Sequence, residues 1–172
     1  KQGIDMTAKF TVLGNTTLTT SSASVTFSSI PSGHKDLVLI TDYKGTTSSV
    51  LNLYWQANSD TTTGNYSVVH MSGDGSATSS SAFNGLQLSP IASPNDTGSA
   101  LVVCTWLDYS ATDKHKSWLL RANTPISTGG APGVSAIAGR WASTAALTSI
   151  TLTNQFSRVF ATGSTFRLLG VN

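Results

Sequence analysis

Short runs rich in Val, Ile, Leu, Thr and aromatic residues recur about every ten to fifteen residues along this chain, separated by Gly, Asn, Asp, Ser and Pro. Runs so spaced and so bounded read as strands of a sandwich or barrel. The spacing predicts strands near Ala8 to Leu13, Thr16 to Thr20, Ala23 to Phe27, Asp36 to Tyr43, Val50 to Gln56, Tyr66 to Met71, Phe83 to Leu88, Ala100 to Asp108, His115 to Arg121, Val134 to Trp141, Thr148 to Thr153 and Thr165 to Gly170. No segment repeats at a fixed period, which argues against a solenoid or propeller.

Two kinds of run stand out. In Thr148-Ser149-Ile150-Thr151-Leu152-Thr153 the apolar residues alternate with hydroxyl residues, as in a strand with one buried face. Leu37-Val38-Leu39-Ile40 and Leu101-Val102-Val103-Cys104 are apolar at every position, so they are expected to be central strands covered on both faces, by the other sheet or by a neighbouring subunit.

Composition agrees. The 172 residues fit one domain, include 26 Ser and 25 Thr, and contain no Glu; Thr and β-branched residues suit a pleated sheet, whereas helix surfaces are usually filled with Glu, Lys, Gln and Ala. The apolar share of 39% in strand-length runs points to a packed core rather than to disorder. A net charge of +2 without a basic stripe argues against a nucleic-acid partner. No run reaches the roughly 18 apolar residues of a membrane helix and no leader precedes Met6, so the expectation is a soluble chain, without membrane insertion or an export signal of its own. Cys104 is alone, which excludes an intrachain disulfide and a zinc motif, and its apolar run predicts a buried, inert thiol.

Candidate chemistry is sparse. The stretch "VTFSSIPSGHKDLVLITDYKG" brings His34 and Asp36 two residues apart, but Pro31 ends one strand and Gly33 allows a turn, so the pair reads as a polar corner. His115 lies in a charged strand entrance and His70 has no second ligand nearby. Asp74 and Asp96 sit in turn contexts, and no acidic pair, phosphate loop or nucleophile motif is present, so neither an enzyme nor a bound metal or cofactor is expected. Trp55, Trp106, Trp118 and Trp141 fall in apolar runs and are assigned to the core or to a subunit interface; Tyr43, Tyr66 and Tyr109 are candidates for exposed surface or glycan contacts. Gly73 to Ser81 and Asn123 to Gly133 are expected to be loops at the sheet ends, where binding would lie.

The order of motifs carries more than any one of them: "VTFSSIPSGHKDLVLI", "NYS" at Asn65 to Ser67, "LDYSATDKHKSW", "AGRWASTAALTSITL" and "FATGSTFRLLG". Between Thr16 and Val171 the chain resembles a family of short, Ser/Thr-rich β-structured virion proteins of tailed bacteriophages, many from phages that infect cyanobacteria. Lys1 to Asp5 precede a start-like Met6 and fall outside the match, as an upstream extension or an added remnant. The resemblance offers no catalytic residue to carry over. It implies an all-β antiparallel sandwich of jelly-roll type, made in the host cytoplasm, that assembles as a homotrimer on the capsid exterior and cements or decorates the head by contacts with the major capsid protein. Residues 1–20 are expected to form an N-terminal arm that holds the first strands and serves as an anchor, and 21–172 the sandwich. The alternative is a receptor-binding or carbohydrate-binding module of a tail fibre facing a host surface glycan; a glycan hydrolase with an Asp pair is more distant.

Overall fold

The computed structural model describes residues 10–46, 52–89, 99–124, 133–155 and 158–172. Its strands are β1 (Phe10–Thr17), β2 (Ser24–Phe27), β3 (Asp36–Tyr43), β4 (Leu53–Ala57), β5 (Tyr66–Gly73), β6 (Thr78–Asn84), β7 (Gln87–Ser89), β8 (Ala100–Leu107), β9 (Lys116–Thr124), β10 (Gly133–Trp141), β11 (Ile150–Asn154) and β12 (Thr165–Val171), with one 3-10 turn at Thr63–Asn65. No helix among the described residues is long and apolar enough to cross a membrane.

The strands form two antiparallel sheets. One has eight strands in the order β1-β12-β3-β8-β9-β10-β5-β6, the other four in the order β2-β11-β4-β7. The alternation read in the sequence sets which side faces inward: Ile150 and Leu152 of β11 and Val25 and Phe27 of β2 are buried, while the hydroxyls of Thr26 and Thr151 meet at 3.0 Å on the other side.

Aromatic residues fill the space between the sheets. Trp55, from β4 of the small sheet, lies 5.1 Å from Trp106 of β8 and 4.9 Å from Trp118 of β9, with Tyr66 at 5.6 Å. A second group joins Tyr43, Phe160 and Phe166. Gly139 pairs with Trp118 across β10 and β9, and a Cβ there would come within 2.1 Å of the Trp118 indole. The glycine in this strand is therefore the space that the indole occupies.

Several expectations are corrected. Ala8 to Leu13 and Thr16 to Thr20 are not two strands: Phe10–Thr17 is a single edge strand, bulged between Val12 and Gly14, paired residue by residue with β12. It belongs to the large sheet, so residues 10–17 of the expected arm are part of the sandwich, while residues 1–9 lie outside the described residues. Gly73 to Ser81 is not a loop. β5 and β6 form a hairpin whose turn is set by Asp74, as Oδ1 accepts from the backbone of Ser76 at 2.9 Å and of Ala77 at 2.8 Å. Serines and glycine conceal this edge strand because β6 is exposed along nearly its whole length and needs no apolar side. Phe83 to Leu88 divides at Gly85 between β6 of the large sheet and β7 of the small one. Of the loop expected at Asn123 to Gly133, residues 125–132 lie outside the described residues, as do Val50 and Asp96.

Candidate interaction surface

The three tyrosines proposed for surface contacts are all fully buried, which overturns that reading. Each follows or precedes a turn, a position that looks exposed in sequence, but each ring points between the sheets. Tyr43 packs edge-on against Phe160 at 5.6 Å, and burial raises its hydroxyl well above the ordinary tyrosine range. The Tyr66 hydroxyl donates to the Asp60 carbonyl at 2.8 Å and accepts from Ala57 N–H at 3.0 Å, with burial pushing it up to about 12. The Tyr109 hydroxyl donates to the carbonyl of Pro31, closing the corner that the sequence marks with Ile30-Pro31.

The histidines have separate local partners. His34 Nδ1 lies 2.6 Å from Asn172 Oδ1, and its ring covers Gly170, where a Cβ would meet it at 2.5 Å. Asp36 Oδ1 instead accepts from Asp108 N–H at 2.9 Å, so the two groups do not form a dyad. His70 Nε2 is 3.1 Å from Ser135 Oγ and its pKa is lowered by burial, while His115 is exposed. Cys104 is buried and its thiol is raised well above its ordinary value by desolvation. Among the described residues no three His, Cys or Asp side chains gather as a metal site would require.

Sequence reasoning missed the polar node at Asp60. Its Oδ1 accepts from Thr62 N–H at 2.9 Å, and its Oδ2 accepts from Asn65 Nδ2 and Trp141 Nε1, both at 2.8 Å. One carboxylate thus joins the end of β4, the start of β5 and the end of β10. Desolvation pushes its pKa up, but the hydrogen bonds from Trp141, Asn65 and Thr62 outweigh it and hold the group at about 2. Next to it, Asn58 (φ 51) and Ser59 (φ 62) are left-handed, and Asn58 Oδ1 accepts from Thr148 N–H at 2.8 Å and Ser149 N–H at 3.0 Å. The only sequence signal was the turn-forming composition of Asn58-Ser59-Asp60. We expect Asp60→Ala to cost about 2 kcal/mol in chemical denaturation, since it leaves the Trp141 and Asn65 donors unpartnered. Because the folded pKa lies below the unfolded one, the stabilisation from ionised Asp60 is complete above about pH 4 and is lost as pH falls toward 2. With solvent screening the loss is about 1 kcal/mol, and Asp60→Asn should abolish that acid dependence.

The most unusual surface lies on the large sheet. Its inner side carries the core, and its outer side holds every large, strongly exposed apolar residue among those described: Phe10 and Val12 of β1, Leu101, Val103 and Leu107 of β8, Leu119 of β9, Val134 of β10, and Val69 and Met71 of β5, with exposures from 38% at Val103 to 66% at Val134. The runs that are apolar at every position explain part of this. Leu37 and Leu39 face inward under the small sheet, whereas Val38 and Ile40 share the outer face with Val103. Within the chain, the small sheet covers one of these two faces.

The register lines these residues into rows across the strands. Val12, Leu169, Val38, Thr105, Leu119, Ala138, Val69 and Ala82 are consecutive partners through all eight strands, a row without a charge. Within the face, Ala136 and Ala138 of β10 floor a groove of about 510 Å³ walled by Leu119 and Val103 on one side and Val69 and Met71 on the other. Charges are few and segregated: Asp36 and Asp42 on β3, Arg121 and Arg140 on β9 and β10, and Arg167 on β12. A contiguous apolar surface of this extent marks an interaction site. Comparisons with protein-family models, with curated proteins and with solved structures find no match to this chain.

Proposed function

We propose that the chain is a non-enzymatic structural protein of a bacteriophage particle, a capsid decoration or cement protein that works by burying the outer face of its large sheet in an assembly. The observation that carries the assembly role is that, among the described residues, the large exposed apolar side chains all lie on that one face. A particle protein presented in many copies gains stability from such a face, whereas a free monomer would be prone to aggregate through it. The bacteriophage setting rests on the resemblance of the ordered motifs from Thr16 to Val171.

The jelly-roll reading is supported by the strand order. Without the hairpins β5–β6 and β9–β10, the sheets run β1-β12-β3-β8 and β2-β11-β4-β7. The strands then pair first with last, β1 with β12, β2 with β11, β3 with β8 and β4 with β7, as in one long antiparallel hairpin rolled upon itself. The two hairpins widen one sheet to eight strands, and they supply half of the apolar face.

Purified virions test this function. Gel densitometry should find the chain in a copy number approaching that of the major capsid protein; a copy number far below it would favour the tail-fibre reading, and absence from particles would overturn the proposal.

A further inference from the structure

The outer face spans all eight strands and carries Asp36 and Arg140 in one row on either side of its middle. Strands spaced about 4.8 Å apart and four rows of outward residues give it an area on the order of 800–1,000 Å², close to the roughly 800 Å² per partner of a standard stable interface. We propose that this face is closed by the same face of a second copy of the chain, related by a twofold axis that runs parallel to the strands between β8 and β9. The inference rests on the assembly role proposed above and specifies the contact through which it begins.

Such an axis keeps each residue at its height along the strands and reverses the strand order. β3 of one copy then lies over β10 of the other, and β8 over β9. Val38 pairs through Thr105 and Leu119 to Ala138, so the two occupy one row, and Ile40 shares the next with Ala136. Val38 and Ile40 of β3 therefore lie over the alanine-floored groove of the second copy, whose lining also includes Arg121, and the same axis sets Arg121 of each copy over Val103 of the other. Leu37 pairs with Trp106, which places Asp36 beside Leu107; Leu107 pairs with Ser117, and Ser117 with Arg140. Asp36 and Arg140 thus share a row, each one and a half strands from the axis, about 7 Å. The symmetry sets Asp36 of each copy against Arg140 of the other, and the usual offset of about 30° between stacked sheets displaces them little so near the axis.

The competing twofold, across the strands, lays each strand over itself. Asp36 would then face Asp42, Val38 would meet Ile40, and Ala136 would meet Ala138 across an unfilled groove. Like charges and mismatched volumes disfavour it. A third possibility, the trimer implied by the resemblance, would need the face to meet a different surface of the next copy.

Sedimentation equilibrium of the full chain should give twice 17.9 kDa at micromolar concentration. Ala138→Arg, and separately Leu119→Lys, should weaken the dimer at least about 100-fold while leaving the monomer's melting temperature within a few degrees, because both positions are exposed. Arg140→Asp should weaken it at least about 10-fold, and adding Asp36→Arg should restore affinity to within about threefold. A monomer at 100 micromolar or a trimer would overturn the proposal, as would a dimer indifferent to Ala138→Arg or a charge swap that fails to rescue. Each of these would leave the virion reading standing; a dimer that behaves as expected but is absent from particles would overturn that reading alone.

Discussion

Replacing Trp55 by alanine is expected to remove about 4 kcal/mol of stability in chemical denaturation, a large part of the 5–15 kcal/mol that typically separates folded from unfolded domains. Trp55 is one of the side chains through which the small sheet packs on the large one, with ring centroids of Trp118, Trp106 and Tyr66 between 4.9 and 5.6 Å away. All four rings are buried, so the neighbours have little room to collapse into the space left by an indole. Among the described residues the indole N–H groups of Trp55, Trp106 and Trp118 meet no acceptor, unlike that of Trp141, so the expected loss is one of packing. Trp55→Phe should cost about half as much. A Trp55→Ala loss below about 1 kcal/mol would show that the sheets are not held together at this point.

Gly139→Ala should be nearly as damaging, although it adds only one methyl group. The new Cβ would lie 2.1 Å from one Trp118 ring carbon and 2.2 Å from another, well inside contact distance, and Trp118 is itself packed against Trp55. Overpacking of this kind costs about 1–3 kcal/mol, and the upper end is expected here. The cause can be isolated by a double-mutant cycle: in a Trp118→Leu background the same Gly139→Ala change should cost less than about 1 kcal/mol. Equal costs in the two backgrounds would mean that the glycine serves the strand's backbone and not the indole.

The two substitutions differ in how far the sequence announces them. The four tryptophans were assigned to apolar cores or interfaces from their surroundings, and all four are buried. Gly139 gave no such signal, because a glycine between Ala138 and Arg140 acquires its meaning only when β9 supplies the indole opposite. The tyrosines failed for the related reason that exposure at a strand end depends on what closes over it. Tyr66 is covered by the chain that turns from Ala57 to Asp60 and bonds to its hydroxyl, and Tyr109 by the corner at Pro31. These partners are 6 to 78 residues away in sequence, and no local pattern reports them.

The all-β class, the positions of most strands and the inward side of those that alternate are legible in the residues, because side-chain alternation is a local property of extended backbone. It placed β3 at Asp36 to Tyr43 with both ends correct, and it marked Leu37–Ile40 and Leu101–Cys104 as apolar on both sides. Which of those sides is covered depends on how the two sheets pack. The four-stranded sheet packs on one side of the eight-stranded one, so Leu37, Leu39, Val102 and Cys104 are core while Leu101 and Val103 are exposed. Sheet order and register also bring Val38 into one row with Ala138, and Asp36 into one row with Arg140, pairings about a hundred residues apart that arise from long-range hydrogen bonding rather than from any local pattern.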